Sequence, residues 1–397
     1  MSELSDRAIG SALTGIRTLF KFISANDTGL TRSHQVGYYI GKSAVPIIFD
    51  TPGERGKNKE RDIRIKWQDG SVTDSKAKYY GEKTRNEYRI TSFGRGFEFL
   101  KHVYTGAALI LVQHTTDEYE GFVLSSDDEI EEFQTTFDLA PTDSSILINI
   151  EKGKPQKKLE VEINNLVSNL TVEFPSTSDM SRYARSLSYN AKICRAKDPI
   201  IIPDKVLLKW TEVEYELFRA IENYRYGDIV RNGFENMDKF IEMANTVLNK
   251  RKSRAGKGFE HHLSALFQEN SLCFTEQCVT EGNKKPDFIF PSSEAYHDLS
   301  FPSEGLVFLG AKTTCKDRWR QILNEADRFS DRIKFLATLQ RGISPAQMEE
   351  MQAENVVLVV PKEYHKTYPS DPVNYQEKLW SLEKFIQHVR LVQNGQK

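Results

Sequence analysis

The sequence has few cysteines and no long apolar run, and each shortage excludes a class of protein. The four cysteines among 397 residues show neither a disulfide framework nor the paired spacing of metal ligands. No stretch approaches the roughly 20 apolar residues that a membrane helix needs, and no apolar segment follows a basic start, as in a secretion signal. We therefore expect a cytoplasmic protein that is neither exported nor embedded in a membrane.

A strong excess of charge of one sign is also absent. The net charge is −2, which gives no global signal for nucleic-acid binding. Charge is concentrated locally in basic blocks at residues 55–66, 250–257 and 316–320. Such blocks are more often solvated faces than binding sites, so each needs independent support. With 39% hydrophobic and 28% charged residues, the chain is typical of a globular protein of two or three domains.

The first half of the chain predicts many short strands at irregular spacing, with few helical patterns between them. Asp69-Gly70 is a hairpin-turn signal. This pattern favours an all-β, barrel-like domain over residues 1–175. The predicted strands are residues 19–23, 36–40, 63–67, 107–113, 121–124, 146–150 and 159–163.

The second half alternates helices and strands, which predicts an α/β sheet with helices on its faces. We place a linker at residues 176–203, in which residues 178–187 fit a short helix, and a second domain at residues 204–397. The predicted helices are residues 213–224, 237–248, 257–268, 317–328, 345–353 and 378–392. The predicted strands are residues 273–279, 287–290, 306–313, 334–339 and 356–360.

Three residues between positions 284 and 325 suit metal-assisted phosphodiester hydrolysis. Asp287 opens one predicted strand, Lys312 closes the next, and Glu325 lies on the helix behind them. Carboxylates are ligands for Mg2+, which can stabilise charge on a phosphate and lower the pKa of a bound water. An ammonium group nearby can orient that water or screen the phosphate. The pattern also fits a solvated lysine and a turn-forming aspartate, and the spacing alone leaves both interpretations open.

Two loops of the first half are rich in hydrogen-bonding side chains. Residues 24–35 carry many short polar side chains, and residues 83–89 combine cations, an amide and an acid. These side chains can contact phosphates and base edges. Well-hydrated turns are the alternative interpretation of both loops.

Segments spread along nearly the whole chain resemble signature stretches of the EcoRII restriction endonuclease family. They are residues 24–29 with 34–37, 83–87 with 89–91, 251–257, 280–288 and 312–326. The resemblance implies an N-terminal all-β pseudobarrel that binds effector DNA, joined to an α/β restriction-endonuclease-like catalytic domain. It also implies a homodimer that uses Mg2+ to cut double-stranded DNA at CC(A/T)GG. The N-terminal domain would hold the active site shut until effector DNA binds.

By this resemblance, Asp287 and Glu325 are the metal carboxylates and Lys312 is the catalytic lysine. Gly310 stands two positions before that lysine, where the nuclease superfamily usually has an acid, and Glu325 would take over its role. Glu260 matches a further active-site glutamate on the preceding helix. A solvent-facing helix residue is the alternative for Glu260.

The resemblance also assigns DNA contacts. Lys316, Asp317 and Arg318 match the base-reading motif, in which cations donate to guanine and an acid accepts from cytosine. Asp317 can cap a helix at the same time. Trp210 and Tyr215 lie where a pocket for an extruded base could be built, although the local match is poor. The match in the N-terminal domain predicts effector-DNA contacts by His34, Lys83, Arg85, Glu87 and Arg89, and departs at residues 31–33 and 88.

Two other functions stay open from the sequence. One is a sequence-specific DNA-binding regulator with an inactive nuclease domain, against which the intact Asp287, Lys312 and Glu325 argue. The other is a nuclease of the same fold that acts in repair or on modified DNA.

Overall fold

The chain folds around two β-sheets, one in each half of the sequence. The computed structural model describes residues 2–31, 36–148, 157–324, 332–369 and 375–395. Among these residues, no helix has both the length and the apolar character that a membrane crossing requires.

The N-terminal sheet has eight strands, in the order β2-β5-β4-β3-β7-β6-β1-β8. The strands are β1 Arg17–Phe22, β2 Tyr38–Ile40, β3 Lys59–Trp67, β4 Val72–Tyr80, β5 Glu87–Thr91, β6 Ala108–Gln113, β7 Glu118–Leu124 and β8 Ile146–Ile148. All neighbouring pairs are antiparallel except β3 and β7. The predicted hairpin turn joins β3 to β4, and Gly70 supplies its positive φ of 84°.

Both faces of this sheet are covered, which explains why all six residues of β6 are buried. An aromatic cluster around Trp67 and Tyr38 fills one face. On the other face, helices α1 (Glu3–Thr14) and α2 (Asp127–Thr136) pack through Ala8, Ile130 and Phe133. The sequence analysis missed α2, although Ser126 and Glu129 form a capping box at its start.

The strand predicted at residues 159–163 is wrong, because these residues lie in helix α3 (Lys157–Ser168). The sequence alternates polar and apolar residues here, but it also repeats apolar residues every four positions. The structure follows the second period: Leu159, Ile163 and Val167 are buried, whereas Val161 is 57% exposed.

A layer of helices connects the two sheets. It comprises α4 (Thr177–Asn190), α5 (Asp198–Ile201), α6 (Pro203–Asn232) and α7 (Met237–Glu269). Buried residues of α3, α4 and α6 share one apolar cluster. The domain boundaries given above stay a prediction.

The two helices predicted at residues 237–248 and 257–268 are one continuous helix, α7. The basic block between them contains no proline, and lysine and arginine favour helix. Gly258 allows α6 to approach closely, since a Cβ there would lie 2.2 Å from Glu214 Oε1.

The C-terminal sheet has six strands, in the order β14-β13-β12-β11-β10-β9. The strands are β9 Thr275–Glu276, β10 Phe288–Phe290, β11 Val307–Lys312, β12 Lys334–Thr338, β13 Val356–Val359 and β14 Leu379–Trp380. β9, β10 and β11 pair antiparallel, and β11 to β14 run parallel. The predicted α/β sheet is therefore present.

The remaining helices flank this sheet. They are α8 Ser293–His297, α9 Pro345–Ala353, α10 Tyr375–Lys378 and α11 Leu382–Asn394. Shorter 3-10 helices are Lys42–Ile47, Glu98–Leu100, His102–Tyr104, Glu281–Asn283, Ser303–Gly305, Arg318–Asn324 and Lys362–Thr367. The helix predicted at residues 317–328 corresponds to the 3-10 helix Arg318–Asn324, and its remainder lies outside the described residues. The helix predicted at residues 378–392 begins later than expected, because β14 precedes it.

Candidate active site

Asp287 and Lys312 meet at one end of the antiparallel pair β10–β11. Asp287 immediately precedes β10 and Lys312 ends β11. Lys312 Nζ lies 3.4 Å from Asp287 Oδ2, and the same oxygen accepts a hydrogen bond of 2.7 Å from the backbone N–H of Ala311. Asp287 is buried, whereas the Lys312 side chain is 25% exposed. The strand register thus places an acid and an ammonium group side by side.

Glu260 joins this pair from helix α7. Gln277 Nε2 donates to Glu260 Oε2 at 3.3 Å and to Asp287 Oδ1 at 3.0 Å. Lys257 donates to the same Glu260 oxygen at 2.8 Å. Burial raises the pKa of Glu260, as does the charge of Asp287, while Lys257 and Lys312 act in the opposite direction. The structure therefore gathers Glu260, Asp287 and Lys312 in one site.

Glu325 lies outside the described residues, but the segment that leads to it explains the missing acid at position 310. Gly310 in β11 faces Ile322 of the 3-10 helix Arg318–Asn324. A Cβ at Gly310 would lie 2.6 Å from Ile322 Cγ2, so the place of an acidic side chain is filled by an apolar one.

The donor atoms of this site suit a hard divalent cation. Asp287 and Glu260 offer carboxylate oxygens, the ligand type that Mg2+ prefers. Within the described ranges, no group of three or more His, Cys, Asp or Glu side chains is arranged to hold a metal. Magnesium sites often use one or two carboxylates and complete the shell with water and substrate oxygens. The residues present therefore fit such an ion.

The three residues predicted to read bases contact the N-terminal domain. The Lys316 ammonium group donates to the carbonyl of Thr105 at 3.0 Å and approaches that of Val103 at 3.4 Å. Burial lowers the pKa of Lys316 to about 8. The Arg318 guanidinium pairs with Asp128 and Glu131 of α2, at 2.6 Å in each case.

Asp127, the first residue of α2, lies at the centre of this contact. Its carboxylate accepts backbone N–H bonds from Lys316, Asp317 and Arg318 at 3.0, 2.8 and 2.9 Å. The carboxylate thus caps the start of the 3-10 helix Arg318–Asn324 while it lies at the start of α2, and both helix N-termini favour an anion. Burial alone would raise the pKa of Asp127, but the hydrogen bonds outweigh it and the pKa is lowered.

Asp317 completes a reciprocal contact with Asp127. The backbone N–H of Asp127 donates to Asp317 Oδ1 at 3.1 Å. The hydrogen bond between the two carboxyl groups, together with burial and the charge of Asp127, raises the pKa of Asp317 to about 6. Asp317 therefore takes up a proton at a higher pH than an isolated aspartate does.

The other end of α2 is also held by the C-terminal half. Asp138 Oδ2 pairs with Arg219 Nε at 2.7 Å, and its Oδ1 pairs with Arg254 Nη2 at 2.9 Å. Arg251 donates to the carbonyl of Thr136 at 2.8 Å. Helix α2 is therefore held at its start by residues 316–318 and near its end by three arginines of α6 and α7.

The predicted effector-DNA contacts do not all share one environment. His34 lies outside the described residues. Lys83 and Arg85 are exposed on the loop between β4 and β5. Arg89 is buried in β5, where it donates to the Gly37 carbonyl at 3.0 Å and lies 3.6 Å from Glu87. Arg89 thus holds the backbone at Gly37, and Glu87 lies beside its guanidinium group.

Trp210 and Tyr215 are buried on α6. Tyr215 lies under the Arg254 guanidinium, 3.7 Å from the ring centroid. Trp210 faces His262, which forms a buried pair of 3.0 Å with Glu214. In this conformation both rings belong to the packed interior.

Sequence reasoning missed two functional features. The acids of α2 had a local signal in the capping box, because Ser126 precedes the run of Asp127, Asp128 and Glu129. Gln277 had none, since its place between two carboxylates depends on how three separate elements pack.

Two family models match the chain. The model described as "Restriction endonuclease EcoRII, N-terminal" matches residues 12–146, and that described as "EcoRII C terminal" matches residues 218–386. The chain is 40% identical over 370 residues to the type II restriction enzyme EcoRII of Escherichia coli, which covers 88% of each chain. It is 28% identical over 127 residues to the type II restriction enzyme SsoII of Shigella sonnei, which covers 30% of this chain and 40% of that enzyme.

Two solved structures are similar to parts of the chain. Metal-depleted Ecl18kI in complex with uncleaved, modified DNA has a TM-score of 0.47 and 18% identity, covering 60% of this chain and 85% of that one. The complex of the restriction endonuclease PspGI with substrate DNA has a TM-score of 0.45 and 14% identity, covering 56% and 94%.

Proposed function

The chain belongs to the EcoRII family of type II restriction endonucleases, and from this premise we propose that it cuts double-stranded DNA at CC(A/T)GG with Mg2+ as cofactor. The observation that carries the proposal is the meeting of Asp287, Glu260 and Lys312 at the end of β10–β11. Glu325 is proposed as a further metal carboxylate. A bound Mg2+ would supply positive charge to the scissile phosphate and to the attacking water.

The protein side chains have separate tasks in this mechanism. Lys312 orients the attacking water and balances charge on the phosphate with its partly exposed ammonium group. Asp287 is held in one orientation by the N–H of Ala311, so its carboxylate is placed before substrate arrives. Glu260 adds a second carboxylate from α7, beside Asp287.

The test is cleavage of a plasmid that carries several CC(A/T)GG sites. We expect Lys312→Ala to lose cutting while it retains DNA binding, and EDTA to stop the wild-type enzyme. Lys205→Ala, an exposed lysine of α6, is the matched control and should cut normally. Sequencing the ends should show cuts before the first C with five-base 5′ overhangs. Undiminished cutting by Lys312→Ala would overturn the site, and no cutting under any condition would favour a DNA-binding regulator instead.

We also propose that Lys316, Asp317 and Arg318 read the outer C·G pairs of the site. A lysine or arginine donates to guanine O6 and N7, and an acid accepts from cytosine N4, each good pair discriminating by about 1–3 kcal/mol. Their present partners support this role, because the α2 carboxylates and the carbonyls of Val103 and Thr105 offer the acceptors that DNA would offer.

Effector activation follows from the same contact. We propose that α2 closes the catalytic domain against DNA, and that effector DNA releases it. In support, the Asp127 carboxylate accepts hydrogen bonds from three backbone N–H groups of residues 316–318, and Arg318 forms ion pairs with two further acids of α2. The exposed Lys83 and Arg85, with His34, are the proposed effector contacts, while Glu87 and Arg89 shape that surface.

The proposed homodimer is supported by an apolar stripe on α7. Met237, Ile241, Ala244 and Leu248 repeat at alternating spacings of four and three, the pattern of a helix–helix seam. Phe240 extends the stripe, and Met237, Phe240 and Ile241 are 68%, 48% and 49% exposed. We propose that a second copy of the chain covers this stripe.

We further propose that the eight-stranded sheet curls into a pseudobarrel. The residue after β2, Gly41, donates its N–H to Oγ of Ser145, which directly precedes β8, at 2.6 Å. The contact brings the two edge strands of the sheet near each other, as a barrel requires.

A further inference from the structure

Gln277 connects the two described carboxylates of the active site. Its side-chain amide donates to Asp287 Oδ1 at 3.0 Å and to Glu260 Oε2 at 3.3 Å. The other oxygen of Asp287 is held by Ala311 and Lys312. Each oxygen of Asp287 therefore has a partner, and the amide fixes the distance from Asp287 to Glu260.

The backbone at Gln277 is built to direct this side chain into the site. Its φ is 49°, in the left-handed region that residues other than glycine rarely adopt. Its N–H donates to the carbonyl of Asp287 at 3.2 Å. The neighbours are anchored elsewhere: Glu276 bonds to Ser264 of α7, and Cys278 is buried against Ser293. Strain held in place by its surroundings is typical of functional sites.

An amide suits this position for a chemical reason. Two carboxylates side by side repel each other, and a primary amide has two N–H groups, so it can donate one to each. A lysine would neutralise the acids and compete with a cation, whereas an acid would add to the repulsion. The amide joins the carboxylates and leaves their negative charge available.

We propose that Gln277 is a positioning residue that sets the spacing of Glu260 and Asp287 for a divalent cation. The inference rests on the proposed metal-dependent function. Gln277 acts through the two acids and takes no part in the chemical step.

The test is the binding of Mn2+ alone to the full-length protein, measured from the loss of the free Mn2+ electron paramagnetic resonance signal. Gln277→Gly is the decisive variant, because glycine adopts a positive φ freely, so the amide is lost with its side chain and no backbone strain is added. Gln277→Leu removes the donors at nearly equal size, and Gln268→Leu, on an exposed glutamine of α7, is the matched control. Mutation of a residue that orients metal ligands typically lowers the affinity for the metal by roughly 10–100-fold.

We expect Gln277→Gly to bind Mn2+ at least about tenfold more weakly than wild type, with metal-free DNA binding unchanged. Cleavage by this variant should need more Mn2+ for its half-maximal rate, and recover toward the wild-type rate at saturating Mn2+. If Gln277→Gly bound Mn2+ as tightly as wild type, the role of Gln277 would be overturned, while the proposed metal-dependent function would stand. If the Asp287→Ala variant bound Mn2+ as tightly as wild type, the proposed metal site itself would be overturned.

Discussion

In the proposed closed form, we infer that the contact between Asp127 and Asp317 makes closure of the catalytic domain dependent on pH. The pKa of Asp317 is raised from 3.8 to about 6 in the closed form, so this form binds a proton more tightly than an open one. The contribution to closure is complete below pH 4 and is lost as pH rises through 6. The other charged groups at this contact are Lys316 and Arg318 beside Asp317, and Asp128 and Glu131 across from it.

We predict that the backbone amides of Asp317 and Arg318 exchange hydrogen faster at pH 7 than at pH 5, after correction for intrinsic rates. Asp317→Asn cannot titrate, and its corrected rates should be nearly the same at both pH values. Equal protection of the wild-type amides at pH 5 and pH 7 would show that protonation of Asp317 does not stabilise the contact.

Gly310 offers a second prediction for a single residue. In Gly310→Ala the new Cβ would lie 2.6 Å from Ile322 Cγ2, so the 3-10 helix Arg318–Asn324 must move. Overpacking of this kind costs about 1–3 kcal/mol. We expect a lower thermal unfolding midpoint and slower cleavage.

Gly256→Ala on α7 is the matched control, because a Cβ there meets nothing within 4 Å and alanine favours helix. Its unfolding midpoint should stay or rise. If Gly310→Ala were as stable as Gly256→Ala, the packing explanation for the missing acid would fail.

Single residues differ in how far the sequence reveals them. Asp287 and Lys312 were predictable as neighbours, because Asp287 opens one apolar run, Lys312 closes the next, and consecutive runs often pair in a sheet. Gln277 was not, since its contacts join α7, the end of β9 and the start of β10. The burial of Lys316 and Arg89 depends on a partner segment distant in sequence, and no local pattern records it.

For a single element, helix α7, we predict how substitutions change the oligomeric state. A pair of changes in its apolar stripe, Phe240→Glu and Ile241→Glu, should convert the proposed dimer into a monomer, because charges cannot be buried in an apolar seam without a partner. Sedimentation velocity measures the result. Lys239→Glu places an acid on the exposed side of α7 opposite the stripe and should leave the dimer intact. A dimer in both variants would place the subunit interface elsewhere.

Elements were predictable where one period dominated. The predicted strands at residues 287–290, 306–313, 334–339 and 356–360 are apolar runs too short for helices, and β10 to β13 confirm their positions. Strand β9 is shorter than the prediction for residues 273–279, and β14 was missed. The apolar residues around positions 159–163 fit both the alternation of a strand and the repeat of a helix. The segment forms a helix, which buries Leu159, Ile163 and Val167 on one face. Helix α2 was missed because its acid-rich first turn resembles a loop, although its apolar face packs on the sheet.

At the scale of the whole molecule, α2 is a main contact between the two halves. Asp127, Asp128 and Glu131 contact residues 316–318 at its start, and Asp138, just after its end, pairs with Arg219 and Arg254. The sequence could reveal the two domains but not this contact, because its partners lie about 190 residues apart. A DNA duplex and α2 would compete for the same cations.

The most direct measurement is the cleavage rate of a linear duplex with one CC(A/T)GG site, with and without a second effector duplex. The α2 variant combines Asp127→Ala, Asp128→Ala and Glu131→Ala, and it leaves residues 316–318 unchanged. The control variant instead replaces three exposed acids of β3 and β4 with alanine, namely Glu60, Asp62 and Asp74. We predict that the α2 variant cuts without effector at least about tenfold faster than wild type, as a coupling of about 1–3 kcal/mol implies, and gains little from effector. An α2 variant that still needs effector as strongly as wild type and the control would contradict this prediction.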